Sequence, residues 1–337
     1  VTWPIDWSPT SGRTDHRRLE TVFDRNAERL LKIAILCYAL KWHIWFRIVI
    51  NDGRPSETAL TAAAARAAHL IVDGEPRIFA DTLAYAILGD EAEKLIGYHR
   101  VHGDHPILSG ARATATVRSR YTEDRLAEAV ARDVTQYVIL GAGLDSFAYR
   151  PGPAGAVRVF EVDHPATQQW KRRRLEEAGI ALPDTVTFVP VDFENDSLSG
   201  TLARAGFDPS RPAFVSWLGV TMYLTRDAIA STLAEVGGFA AGTEIVLESM
   251  LPAGLRDAAG DAYVEGVASM AAERGEPWLS FFSPEDMSAL LEQHGFGLIG
   301  HARQRDAIDA GLWERTDAVR PSDLPLLTHA TVLVRAR

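Results

Sequence analysis

An α/β fold built on a mostly parallel sheet follows from three observations. Strand-like runs and segments of helical spacing alternate from Gln136 to the end of the chain, the pattern of a parallel sheet with helices on its faces. The run Tyr137-Val-Ile-Leu140 has no polar alternation, as a strand buried on both sides requires. It leads straight into Gly141-Ala-Gly143, where the missing Cβ atoms allow a tight turn and a close approach of backbone to a ligand.

The elements can be justified in order. Residues 1–53 read as an N-terminal extension. Within it, Leu30 to Ile50 is long and apolar but is interrupted by Lys32, Lys41 and Arg47, which argues against a membrane span. It also lies too far from Val1 and lacks a small-residue cleavage site, so it is a poor signal peptide. From Ser56, which is placed as a cap, Glu57 to Ile71 is helical and rich in alanine. Asp73-Gly-Glu-Pro76 stops it. A second helix is expected over Phe79 to Gly97, a loop over His99 to Gly110, and a third helix over Ala111 to Arg132.

Beyond the Gln136 strand, further strands are expected at Val157–Val162, Val186–Val191, Phe214–Leu218 and Glu244–Glu248, each joined to the next through helical spacing. Ser283-Pro-Glu-Asp286 starts a helix that runs to about His294 and ends at Gly295. A last strand covers Ala330 to Val334, with Gly297 to His301 placed to pair beside it.

Composition bounds the function. At 337 residues with 47% hydrophobic and 24% charged positions, the chain is that of a soluble globular protein with a sizeable core. Its 35 basic and 45 acidic residues give a net charge of −10, so no general attraction to nucleic acid or to an anionic membrane is expected. The single cysteine, Cys37, excludes an internal disulfide framework and a cysteine-based zinc cluster, fits a cytoplasmic location, and leaves no metal site expected.

Ligands of open parallel sheets sit beyond the carboxyl ends of the strands, so the residues there carry the functional reading. Gly141 and Gly143 follow the first strand, and Asp163 follows the second, about 20 residues on, where an acidic side chain accepts hydrogen bonds from ribose hydroxyls. The third strand ends at Asp192-Phe193, an acceptor and an apolar face suited to adenine. Asp163 and Asp192 are equally suited to capping the helices that follow. Where a dinucleotide site has its third glycine, this chain has Ser146, which favours a nucleoside ligand without a pyrophosphate over a nicotinamide cofactor.

The same residues carry a family resemblance. Arg118-Ser-Arg-Tyr-Thr-Glu-Asp124, Val138 to Arg150, Phe160-Glu-Val-Asp-His-Pro165, Val191-Asp-Phe193, Ser216-Trp-Leu-Gly-Val-Thr-Met-Tyr-Leu224 and Gly275 to Glu285 stand in the order found in the leucine carboxyl methyltransferase family in its broad sense. The chain resembles that family over roughly residues 54 to 336, including its polyketide-type O-methyltransferases and actinobacterial S-adenosyl-L-methionine-dependent members. The resemblance implies a class I methyltransferase fold, Rossmann-like, with a seven-stranded mostly parallel sheet whose last strand is antiparallel. It implies S-adenosyl-L-methionine as cofactor, with Arg118 on the methionyl carboxylate, Gly141 and Gly143 lining it, Asp163 on the ribose, and Asp192 with Phe193 on the adenine. An arginine fork is in any case the side chain best matched to a carboxylate, with Arg120 a close competitor and Arg150 read as a structural ion-pair partner. One departure stands out: many members carry an acidic residue where this chain has Leu218.

The expected activity is O-methylation of a carboxylate or hydroxyl of a small molecule. A nicotinamide-dependent oxidoreductase, or a catalytically degenerate nucleoside-binding protein, is the alternative. A carboxylate acceptor needs no base, whereas a hydroxyl would gain from one. His99, His102, His105, His164 and His301 have the right chemistry, and no motif selects among them, so no catalytic residue is assigned. The expected organisation is a domain over 54–337, with a helical lid over 54–132, a core over 133–337 and an insertion at about 251–282 whose Trp278, Phe281 and Phe282 suit an apolar pocket equally well as a core.

Overall fold

The computed structural model describes residues 56–191, 196–273 and 276–334. The Leu30–Ile50 segment and the pair Asp192 and Phe193 lie outside the described residues. Seven strands form one sheet: β1 (Gln136–Leu140), β2 (Arg158–Asp163), β3 (Val186–Pro190), β4 (Phe214–Trp217), β5 (Glu244–Met250), β6 (Phe296–Arg303) and β7 (Pro325–Val332). Their order is β3-β2-β1-β4-β5-β7-β6. β1 to β5 are mutually parallel, and β7 runs antiparallel to both β5 and β6. This is the seven-stranded sheet of a class I methyltransferase, with the last strand reversed as expected.

Helices cover both faces. α1 (Glu57–Val72), α2 (Ala84–Leu88), α3 (Ala92–His102), α4 (Pro106–Val130) and α5 (Pro165–Glu177) lie on one side, and α6 (Leu198–Arg204), α7 (Arg226–Val236) and α9 (Pro284–Gln293) on the other. α8 (Ala258–Glu273) packs at the carboxyl ends of the strands. The β1 and β4 side chains alternate between the two cores. Val138, Leu140, Val215 and Trp217 meet Leu202 and Leu233, while Tyr137, Ile139 and Phe214 meet Val117, Tyr121 and Leu126 of α4. Small side chains set the closeness of α1, whose Ala63, Ala64, Ala67 and Ala68 are buried. Ser56 caps α1, accepting from the N–H groups of Thr58 and Ala59.

Three local expectations are corrected. His99 to Gly110 is mostly helix: α3 runs through His102, and α4 opens at Pro106, whose fixed φ suits a first turn, with the His105 side chain as cap. The segment joining β1 to β2 holds only single 3-10 turns, Phe147–Tyr149 and Pro153–Ala156, so the helical layer over β1 comes from α4 upstream. β7 starts five residues earlier than Ala330, because its pairing with β5 extends to Pro325 opposite Met250.

Candidate functional site

One row of residues crosses the sheet toward the carboxyl ends of its strands. Leu140 is in register with Val162 and Trp217, and Trp217 with Leu247. Gly141, Asp163 and Leu218 therefore stand side by side at the carboxyl ends of β1, β2 and β4, in line with Glu248, two residues before the end of β5. By the pleat they share the face that carries Tyr137, Ile139, Phe214 and Val246, the face covered by α4.

The glycine turn is built into this row. Gly141 and Gly143 have φ of 66° and 46°, a region costly for other residues. A Cβ on Gly141 would lie 2.4 Å from Val220 Cγ2, and one on Gly143 would lie 3.1 Å from the Ala59 Cβ of α1. Both glycines thus let neighbouring segments close onto the turn. The Gly143 N–H donates to Asp163 Oδ2 at 2.5 Å, and the His164 N–H donates to Oδ1 at 2.6 Å. Each carboxylate oxygen keeps acceptor capacity for a further donor. Burial raises the Asp163 carboxyl above its ordinary range, against the pull of those two N–H groups. The cap of α5 is His164, whose Nδ1 accepts from the Ala166 N–H at 3.3 Å. Asp163 is accordingly tied to the glycine turn and is not the cap.

The turn is also held from behind. Arg66 donates from Nη2 to the Leu144 carbonyl at 2.7 Å and from Nε to Asp81 at 2.8 Å. Ser146 is buried and accepts from Arg150 Nε at 3.0 Å, and Arg150 pairs with Glu123 of α4. Ser146 and Arg150 therefore face into the protein scaffold. Burial pushes the Glu123 carboxyl up to about 7 despite the guanidinium beside it.

Of the two candidate arginines, only Arg118 reaches the strand ends. Its Nη1 lies 2.7 Å from Glu248 Oε2, with the Glu248 side chain 0% exposed and that of Arg118 14% exposed. The guanidinium lies flat on Gly219, whose φ is 71° and where a Cβ would sit 2.6 Å from Nη1. Arg120 pairs with Asp124 on the helix surface, both roughly half exposed. Leu218, the departure from the family pattern, packs into the core beside Glu248.

Above β4 and β5 an aromatic cluster joins Met222, Met250 and Leu324 to Tyr223, Tyr263, Trp278 and Phe281. Phe282, in contrast, is part of the sheet core. Burial pushes the Tyr223 phenol up to about 12 and raises that of Tyr263. The Trp278 Nε1 and the Glu276 Oε2 are buried without a hydrogen-bond partner.

The five histidines are placed elsewhere or engaged. His99 is held by Arg112, 3.1 Å from its Nδ1, and burial with that charge lowers it to about 4. His105 and His164 are caps, and His102 is exposed. His301 bridges Ser288 and Thr328 at 2.8 and 2.9 Å. Among the described residues no group of His, Cys, Asp and Glu could hold a metal, and no helix is long and apolar enough to cross a membrane.

Sequence reasoning missed Glu248, Tyr263 and Glu123. The signal for Glu248 was present: a carboxylate closing the apolar run Ile245-Val-Leu247, as Asp163 closes β2.

Comparison with known proteins bears on this geometry. The family model for leucine carboxyl methyltransferase matches residues 59–237. The Bacillus subtilis protein YktD, assigned by inference as an S-adenosyl-L-methionine-dependent methyltransferase, is 32% identical over 303 residues, covering 83% of this chain and 99% of that protein. A Frankia alni protein of the same designation is 36% identical over 182 residues, covering 53% of this chain and 60% of its own length. Among solved structures, a protein from Thermobifida fusca described as a methyltransferase by inference superposes with a TM-score of 0.52 at 19% identity, covering 84% of this chain and 97% of that one. A DUF574 family protein from Streptomyces avermitilis does so at 0.53 and 15%, covering 80% and 97%.

Proposed function

The chain belongs to the leucine carboxyl methyltransferase family and is an S-adenosyl-L-methionine-dependent methyltransferase, and from that premise we propose that it methylates an oxygen of a small molecule. Family membership sets aside the nicotinamide-dependent oxidoreductase. In this reading Gly141 and Gly143 line the cofactor, Asp163 holds its ribose, Arg118 takes the carboxylate of its methionyl part, and Asp192 with Phe193 holds the adenine. Residues 54–337 form the methyltransferase domain, with 54–132 and about 251–282 around the acceptor, and residues 1–53 are an extension.

The observation that carries the reading is the Gly143 to Asp163 hydrogen bond of 2.5 Å. It fixes a carboxylate with spare acceptor capacity directly beside a glycine turn, at the strand ends where a nucleoside would lie. A ribose diol offers two donors to such a group. S-adenosyl-L-methionine supplies a methyl group on a sulfonium, open to in-line attack by an acceptor oxygen. The protein's part is alignment and exclusion of water, and such positioning can contribute about 7 to 11 kcal/mol.

The surroundings favour a carboxylate acceptor over a hydroxyl. The aromatic cluster of Tyr223, Tyr263, Trp278 and Phe281 supplies an apolar wall beside the strand ends. With its phenol pushed up to about 12, Tyr223 is a hydrogen-bond donor near neutrality and not a base. An already ionised carboxylate needs no proton removed. The net charge of −10 and the single cysteine fit a small-molecule acceptor in the cytoplasm better than a nucleic acid.

The test uses the full chain with methyl-labelled S-adenosyl-L-methionine and small-molecule extracts. The expected product is a labelled ester, lost on mild alkaline hydrolysis. A stable ether would move the acceptor to a hydroxyl, and label on nitrogen, sulfur or carbon, or no transfer at all, would defeat the proposal. In the same preparation Asp163→Ala should weaken S-adenosylhomocysteine by about 1 to 3 kcal/mol, as for a lost hydrogen bond to a charged group. Unchanged affinity would remove Asp163 from the site.

A further inference from the structure

The ion pair at the ends of β4 and β5 is chemically incomplete. Glu248 is fully buried, and while its Oε2 takes the Arg118 Nη1, its Oε1 is buried with no hydrogen-bond partner. An unsatisfied carboxylate oxygen in the interior is costly, and native structures keep one chiefly where something else completes it. Arg118 is incomplete in the same sense. A guanidinium carries five N–H donors, and the described contacts to Glu248 engage one of them.

A half-satisfied cation and a half-satisfied anion thus stand side by side in one partly enclosed place. The chemical complement of that arrangement is a zwitterion, with a carboxylate on the guanidinium and an ammonium on the free carboxylate oxygen. We propose that Glu248 receives the α-ammonium group of the cofactor, so that Arg118 and Glu248 form a two-charge clamp for its amino-acid end. The proposal rests on the reading of this site as the one for S-adenosyl-L-methionine. Position supports it. Glu248 and Asp163 share one row, three strand spacings apart, or about 14 Å between their backbones. An extended ligand held by its ribose at one end and its amino acid at the other spans that gap once the reach of the two side chains is taken off. Leu218, between them in the row, is apolar and offers no competing charge.

Gly219 adds a geometric requirement. With its φ of 71° and no Cβ, it lets the guanidinium lie against the backbone at the end of β4. Tyr223 and Tyr263 stand near the same charges, and burial keeps both phenols protonated, so neither competes with Glu248 as an anion.

The experiment compares three probes by calorimetry on the full chain and on Glu248→Gln. They are S-adenosylhomocysteine, its analogue with the α-amino group replaced by hydrogen, and 5′-methylthioadenosine, which lacks the amino-acid end. In the variant, S-adenosylhomocysteine should weaken about 10- to 100-fold, the range of a charge-assisted hydrogen bond. The other two probes should change less than about 2-fold, because neither carries the ammonium. Unchanged binding of S-adenosylhomocysteine would overturn the assignment. Parallel loss of all three would reduce Glu248 to a role in folding, and loss shared by the deamino analogue alone would make it a positioning residue for Arg118. If the variant does not fold, the unmodified chain still decides: it should prefer S-adenosylhomocysteine over the deamino analogue by at least about 10-fold, and equal affinity refutes the clamp. Failure of the unmodified chain to bind S-adenosylhomocysteine would strike the cofactor site itself, a result distinct from any of these.

Discussion

Two arginines on α4 meet buried carboxylates in opposite ways. Arg112 forms a closed cluster: Nε and Nη2 donate to the two oxygens of Asp73 at 2.8 and 2.9 Å, Nη2 also reaches the Gly103 carbonyl at 2.9 Å, and Nη1 meets His99 at 3.1 Å. Asp73 is completed by His69 Nδ1 at 2.9 Å, and His69 Nε2 accepts the Ile78 N–H at 3.1 Å. The chain itself fills this cluster. Arg118, six residues further along the helix, has the same chemistry with Glu248, yet leaves an acceptor unfilled. A cleft of about 410 Å³ opens over Arg112 and His99, but its inner charges are already matched. A satisfied network fixes the fold, whereas the proposed clamp leaves its open acceptor to a ligand.

The sharpest way to break this comparison is to open the closed cluster. Asp73→Ala strands the Arg112 guanidinium, whose side chain is 1% exposed, and should cost about 3 to 5 kcal/mol of unfolding free energy in urea. S-adenosylhomocysteine affinity of the folded fraction should be unchanged. A variant as stable as the parent would show that Arg112 is not held by Asp73. Weakened binding in the folded protein would dissolve the contrast with Arg118.

A third pair on α4, Glu123 with Arg150, lies beneath the glycine turn and gives an effect of intermediate size. Burial pushes the Glu123 carboxyl from its ordinary 4.5 up to about 7, so folding takes up a proton between those values. Its contribution to stability is therefore fully present below the unfolded carboxyl's range and is lost as pH rises through about 7. Relative to Glu123→Gln, the parent should lose on the order of 2 to 3 kcal/mol between pH 4.5 and 8, read from urea melts at each pH. A stability difference independent of pH would mean that Glu123 stays ionised and that its pair with Arg150 is complete, like that of Arg112.

What was legible in the sequence follows the range of the interactions. The β1 strand, the glycine turn and the capped starts of α1 and α9 are written in adjacent residues, and the structure has them within a residue or two. The row of Gly141, Asp163 and Glu248 needs the register of four strands, which no local pattern carries. Asp163 could be found because its offset from the glycine turn is set by one strand-turn-strand unit. Glu248 also closes an apolar run, but its pairing with Arg118, 130 residues upstream, could not be read, since only the fold brings the two together. The loop expected over His99 to Gly110 failed for a different reason. Its glycines and Pro106 signal a break, yet the break is three residues long because proline fits the first turn of α4.

The smallest effect separates Arg118 from its neighbour two residues on. Arg120 pairs with Asp124 one helical turn away, the two side chains 43% and 46% exposed, so solvent screens the charges and the pair fixes two flexible side chains for little gain. Arg120→Ala should lower stability by at most about 0.3 to 0.5 kcal/mol, the worth of an exposed pair at this helical spacing, and should leave S-adenosylhomocysteine affinity unchanged in calorimetry. The two arginines are identical in chemistry and two residues apart in sequence, so only their surroundings distinguish them. A loss of affinity in Arg120→Ala comparable to that of a lost charge-assisted hydrogen bond would move the amino-acid end of the cofactor from the buried side of α4 to its surface, and the pairing of Arg118 with Glu248 would then be structural, as that of Arg112 with Asp73 is.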